Sequence, residues 1–187
     1  MTKSRLKKIA LALLIAIPLI IYFLFSYRPI SGTVVDAETG KPVEGALVLV
    51  EWTRTTGIGL TTTKSYKVAE VVTDKDGKFT LPGVLNPFVN APYLTIYKKG
   101  YVAWNNNSIF PGNGIRVDFK WSSGYVFKLE QFKNTDSYED HYYFISSAAH
   151  TESATKEKHL FIKAYDESER EKAIRERDLK ESRSSQK

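Results

Sequence analysis

Three histidines, His141, His150 and His159, recur at intervals of nine residues. Imidazole is a common metal ligand and the usual proton carrier near neutral pH, so this triple is the first candidate for a metal centre or a general base. On one continuous helix a nine-residue step turns the chain by about 900°, which sends successive rings to opposite sides. The three meet only if the chain bends between them, and scattered packing or surface roles are the simpler expectation. Asp136, Glu139 and Asp140 form an acidic cluster that suits the first turn of a helix better than an acid–base pair. The segment DKDG (74–77) starts like a calcium loop but lacks the third acidic ligand and the later bidentate glutamate, so it reads as a turn. GIG (57–59) and GNG (112–114) are too short to cradle a phosphate. No catalytic residue and no cofactor is expected.

Recognition is better supplied than catalysis. The stretch KKGYVAWNNNSIFPGNG (98–114) sets Tyr101, Trp104 and Phe110 among Asn105, Asn106, Asn107 and Asn113. Aromatic rings beside amides suit a saccharide or peptide surface, and Tyr101, Trp104, Asn105, Asn106 and Phe110 are the candidate ligand residues. The same residue types also suit a loop packed over the end of a β-sandwich.

The elements that hold these residues begin with a membrane signal. Residues 9–27, IALALLIAIPLIIYFLFSY, run 19 positions without a charge. That length matches a hydrocarbon core of roughly 30 Å. Lys3, Arg5, Lys7 and Lys8 precede it, which keeps the N-terminus cytoplasmic and sends the rest outward. Pro18 predicts a kink. The run is longer than the apolar core of a cleaved signal peptide, and its exit FLFSYRPISG is bulky, so an uncleaved single-pass anchor is expected. The net charge of +6 sits mostly here: residues 1–30 hold five basic residues and no acid, leaving 22 basic against 21 acidic residues elsewhere. A basic face for nucleic acid is therefore not expected. With no cysteine, disulfides and thiolate metal sites are excluded.

Beyond Arg28 the pattern changes to short apolar runs with turn punctuation. Strands are expected at 32–37, 46–52, 65–73, 78–81, 93–98, 115–121 and 125–130. ALVLVEW (46–52) is apolar on both faces, as a central strand should be. IRVDFKW (115–121) alternates, with Ile115, Val117, Phe119 and Trp121 on one face. Gly77 and Gly124 are placed for left-handed turn positions. Seven short strands in about 100 residues predict a two-sheet β-sandwich.

GTVVDAETGKPVEGALVLV, then VTDKDGKFTLPGV, then LTIYKKGY occur in that order. Together they resemble the carboxypeptidase regulatory-like domain, a prealbumin-like (transthyretin-like) β-sandwich family, over about residues 30–130. The arrangement is similar to small bacterial envelope proteins that carry this module behind an N-terminal membrane segment. The connections 53–64 and 86–92 depart from the pattern and read as elaborated loops. The resemblance implies a fold role for Gly40, Pro42, Gly45, Val48 and Val50, with Asp36 and Thr39 bonding local backbone. Zinc peptidases that carry this module need H-x-x-E, whereas Phe144, Ser153 and Ile162 follow the histidines here. A related hydroxyisourate hydrolase needs an early histidine and a terminal Tyr-Arg-Gly-Ser, which this sequence lacks. Lys67, Lys120 and Lys128 are expected to face outward, which disfavours an intramolecular isopeptide bond.

After residue 130 the composition turns helical and charged. Tyr138, Tyr142, Ile145 and Ala149 form a helical stripe, with Ser137 or Asp136 as cap. A second helix is expected over about 156–181, docked by Leu160, Phe161 and Ala164 and solvated beyond, with Glu171–Arg175 and Glu176–Lys180 pairs and a disordered end. The fold class is therefore mainly β: a seven-stranded prealbumin-like sandwich behind one transmembrane helix, followed by a short helical appendage. The organisation is 1–8 cytoplasmic basic segment, 9–27 membrane anchor, 30–130 sandwich and 131–187 appendage. The expected function is a non-catalytic accessory in the inner membrane, its β domain in the periplasm or exterior, binding or scaffolding an envelope protein or glycan. The alternatives are a carbohydrate-binding module working through Trp104 and an enzyme or metal-binding protein using His141, His150 and His159.

Overall fold

A computed structural model describes residues 3–26, 29–112, 114–122, 124–147 and 159–184. Helix α1 spans Lys3–Ser26. The strands are β1 (Ile30–Asp36), β2 (Leu47–Thr56), β3 (Thr62–Val72), β4 (Lys78–Leu81), β5 (Tyr93–Tyr97), β6 (Trp104–Asn105), β7 (Ser108–Ile109), β8 (Gly114–Ile115) and β9 (Tyr125–Leu129), followed by helices α2 (Tyr138–Ser147) and α3 (His159–Ser184). A three-stranded sheet runs β4-β1-β9 and a four-stranded sheet runs β3-β2-β5-β6, with β7 and β8 as a separate ribbon. β1 pairs antiparallel with β4 and parallel with β9.

Alternation explains why the sheets face each other. Val34, Val48, Val50, Phe79, Leu81, Leu94, Ile96, Phe127 and Leu129 all point into one core between them. β2 is buried on both faces, as its unbroken apolar run predicts. Its even positions enter the sandwich, while Leu47 and Leu49 turn outward to a second cluster with Tyr97, Ala103, Phe144, Ile145 and Phe161. The helices thus cap the outer face of the four-stranded sheet. Burying a side chain the size of Leu49 contributes roughly 2 kcal/mol. Gly77 (φ 70°) and Gly124 (φ 71°) hold the left-handed turn positions expected of them.

Several expectations are corrected. Among the described residues there are nine strands rather than seven. Residues 116–121 do not continue as a strand: Val117 stays exposed, while Arg116 is drawn sideways to Asn105 and Phe119 turns into the Trp104–Tyr125–Phe127 ring cluster. Most of the supposed 53–64 loop is strand, because β2 and β3 extend into a long hairpin with an irregularity at Trp52/Thr53. In α2 the buried stripe is His141, Phe144 and Ile145 rather than one led by Tyr138 and Tyr142; Ala149 lies outside the described residues. Ser137 caps it, its Oγ accepting the Asp140 N–H at 3.1 Å. Among the described residues the ion pairs of α3 include Lys172 with Glu139 and Glu176, and Lys99 with Glu167 and Glu171, and the expected Glu171–Arg175 and Glu176–Lys180 pairs are not among them. Phe161 and Ser168 are buried, and the helix is exposed from Ala173 on. Among the described residues no helix is long and apolar enough to cross a membrane. The transmembrane expectation over 9–27 therefore rests on sequence.

Candidate functional site

The loop after β5 supplies most of the candidate residues, and its own folding occupies most of their polar groups. Asn105 Oδ1 accepts the N–H groups of Asn107 and Ser108, and its amide donates to Thr95 Oγ1 at 2.9 Å. Asn106 Oδ1 accepts the Leu94 N–H at 2.7 Å and its amide donates to Pro92 O. Both side chains are buried. Trp104 is also buried, its ring set edge-on against Phe119 and Phe127. Arg116 lies over the Trp104 ring at 4.6 Å and donates from Nε to Asn105 O at 2.7 Å. Tyr101 donates its hydroxyl to Asp36 Oδ2 at 3.1 Å, and Phe110 stacks edge-on against His141 and Phe144. Trp104 and its two asparagines sit together, whereas Tyr101 and Phe110 belong to neighbouring clusters.

Beside Arg116 a groove of about 350 Å³ opens between the loop and β9, walled by Trp104, Phe110, Asp118, Tyr125 and Lys128. It brings a guanidinium, a carboxylate and an ammonium to one concave surface. Arg116 and Asp118, both on its wall, pair at 3.3 Å.

His141 is the second focus. Helix α2 drives it beneath the loop, where its Nε2 accepts the Ala103 N–H at 2.9 Å. Phe132, Phe110 and Tyr97 surround the ring. Burial holds its pKa down at about 4, with Asp136 pulling weakly the other way. A neutral imidazole that accepts a backbone N–H is a structural acceptor, and that lone pair is not free for a metal. His150 lies outside the described residues, and His159 opens α3. Among the described residues no group of three or more His, Cys, Asp or Glu is placed to hold a metal ion.

Next to His141, the Tyr97 hydroxyl is buried without a hydrogen-bond partner among the described residues. Burial, reinforced by Glu171 and Glu167, pushes its pKa well above the usual phenol range. A small cavity of about 70 Å³ adjoins it, walled also by Tyr101, Phe132 and Tyr138. Lys99 bridges Glu167 and Glu171, at 3.4 and 3.3 Å, and so ties α3 to the sheet.

Asp36 closes the far end of β1. Its Oδ1 accepts the N–H groups of Glu38 and Thr39 and the Thr39 hydroxyl, while Oδ2 accepts Gln131 and Tyr101. These bonds, Gln131 foremost, hold its carboxyl far below the usual range. The expected Asp36–Thr39 turn is therefore present and tied to the end of the domain. Neither Arg116 nor Tyr97 stood out in the sequence; the outward place of Arg116 within IRVDFKW, against an aromatic face, was the one available signal.

The fold is a two-sheet β-sandwich whose first strand lies between β4 and β9. The carboxypeptidase regulatory-like domain family matches residues 29–122, and the chain belongs to that family. No curated protein matches the sequence. Among solved structures the chain is similar to a streptococcal ancillary pilin, at 17% identity and a TM-score of 0.32, over 58% of this chain and 30% of the pilin. The chain thus spans less than a third of that protein's length.

Proposed function

We propose that this protein is a non-catalytic accessory module, held in the cytoplasmic membrane by its N-terminal helix, with the sandwich in the periplasm or exterior. There it binds or scaffolds other envelope components. The observation that carries the reading is the junction at residue 29: only Arg28 separates the family domain from a charge-free run of 19 residues led by four basic ones. Such a run favours a cytoplasmic N-terminus and an outward domain. Asn105, Asn106 and His141, which sequence singles out as chemical, are engaged in the domain's own turns and loops, which supports an accessory role.

The test is an intact mass on carbonate-washed membranes and on the soluble fraction of a Gram-negative host, with protease added to spheroplasts. A full-length chain in the washed membranes, digested from outside, is the expected result. A full-length soluble chain protected from protease overturns it.

The groove beside Arg116 favours a second reading, capture of a small polar ligand such as a saccharide. Its volume of about 350 Å³ is that of a small-molecule site. Arg116→Ala should abolish any glycan retention. Retention that survives this change, or no retention by the parent chain, removes the reading.

A further inference from the structure

The two ends of the sandwich can be told apart by register. Ile30 opens β1 and pairs with Leu81, the last residue of β4, while Gly32 pairs with Tyr125, the first of β9. The loops 82–92 and 116–124 therefore adjoin the end where β1 begins. Gly124 N–H donates to Ser31 O at 3.2 Å, which fixes the second loop there. The β2–β3 hairpin reaches the same end. Asn90 of the first loop donates its backbone N–H to Thr53 O at 2.8 Å, and its side-chain amide to the hydroxyls of Thr53 and Thr55. The tip beyond Thr55 projects past this seam. In sequence only residues 27–29 separate Ser26, the end of α1, from Ile30, a reach of at most about 14 Å.

These three loops carry apolar side chains that the fold leaves uncovered. Ile58 and Leu60 at the hairpin tip are 103% and 94% exposed, and Phe88 is 72% exposed. Leu85 and Trp121 are exposed as well. Water around such a cluster is unfavourable, and clustered exposed apolar groups mark a contact surface. The flanking charge is mostly positive, since Asp118, the acid in the 116–124 loop, is paired with Arg116 at 3.3 Å. Arg54 and Lys64 stand directly opposite each other on the hairpin, a like-charge pairing that costs stability unless an anion lies nearby. Neither has an acidic partner among the described residues, and Lys120 adds a third cation beside Trp121. The 82–92 loop holds no acid.

The geometry points to this end of the sandwich as a lipid-contacting face. Ile58, Leu60, Phe88 and Trp121 enter the headgroup region of the bilayer that α1 crosses, and Arg54, Lys64 and Lys120 meet anionic headgroups. Apolar tips, an interfacial tryptophan and flanking cations are what such a surface requires. The inference deepens the proposed anchoring and rests on it. The short tether places this end, rather than the Asp36 end, against the membrane.

The full chain has no cysteine, so Ile58→Cys, Phe88→Cys or Lys75→Cys takes a single environment-sensitive fluorophore. Each is reconstituted in vesicles of phosphatidylethanolamine and phosphatidylglycerol, with and without a quencher on the acyl chains. Fluorophores at 58 and 88 are expected to lose most of their emission to the quencher. The one at 75, about 20 Å away along β1, keeps it. Leu60→Asp combined with Arg54→Glu and Lys64→Glu in the Phe88→Cys chain is expected to restore the emission.

Equal emission at all three sites overturns the lipid face. So does a fluorophore at 58 that is shielded from aqueous iodide yet untouched by the lipid quencher, which would mean a protein covers the tip. A carbonate wash of the same vesicles separates the two readings. Retained chain with unquenched tips removes the face and leaves the anchor. Quenched tips on a chain the wash releases support the face without the anchor. Released chain with unquenched tips removes both.

Discussion

At the end of the sandwich where β1 finishes, Asp36 accepts five hydrogen bonds from three stretches of chain, and Thr73 ties Val43 to Ala46. At the end where β1 starts, Ile58, Leu60 and Phe88 stand clear of the fold. Both ends are made of turns between the same strands, so strand geometry does not set them apart. The difference lies in where each polar or apolar group finds its partner. An end whose polar groups are satisfied internally is complete by itself, and an end whose apolar groups are left outside is complete only against something else.

The largest effect is expected at the complete end. Gly77 has a φ of 70°, and a Cβ there would lie 2.3 Å from Val34 O. Gly77→Ala should cost about 4 kcal/mol, read as a fall in urea midpoint at constant slope.

Acid tests the helical cover next. His141 titrates near 4 in the folded chain, below its ordinary value of 6.5, so folding favours the neutral ring. Its contribution is full above pH 6.5 and is lost as the pH falls from 6.5 through 4, by about 3 kcal/mol in all. Unfolding midpoints measured across that range should drop, and His141→Gln should flatten the profile. A midpoint that is constant in the parent chain removes the buried-acceptor role.

Thr73→Val leaves the buried Ala46 N–H without the Oγ1 acceptor that it reaches at 2.8 Å, a loss of about 2 kcal/mol by chemical denaturation. Tyr97→Phe removes a hydroxyl with no partner among the described residues and should stabilise the fold by at most about 1 kcal/mol, read as a small rise in urea midpoint; a loss of that size would reveal a partner. Smallest is Ile58→Asp, expected to shift detergent-solubilised stability by under about 0.5 kcal/mol. If it cost as much as Thr73→Val, the two ends would not differ in the way described.

The sandwich was legible because its signals are local. Alternation in 78–81 and 125–130, the double-faced run 46–52 and the glycines at 77 and 124 each state their role within a few residues. The parts that sequence misplaces or leaves open depend on distant partners. IRVDFKW alternates like a strand, but Arg116 is claimed by Asn105, eleven positions back, and no neighbouring strand pairs with 116–121. Trp104 and its asparagines suit a ligand surface or a packed loop, and how they pack depends on contacts with β5 and Phe119. His141 carries a packing reading as well as a ligand one, and the partner that goes with packing is a backbone N–H 38 residues earlier. Long-range hydrogen bonds of this kind leave no periodic trace.

The pairing of β1 with β9 bears on the order in which the protein is made. Five register pairs join Gly32–Asp36 to Tyr125–Leu129, so the first strand of the domain waits for the last. During synthesis β1 is available almost a hundred residues before its parallel neighbour, and until then one side of it offers unpaired N–H and C=O groups. That interval is when a wrong strand could add to β1. A chain stalled before residue 125 should therefore be more prone to aggregate than one stalled after 130.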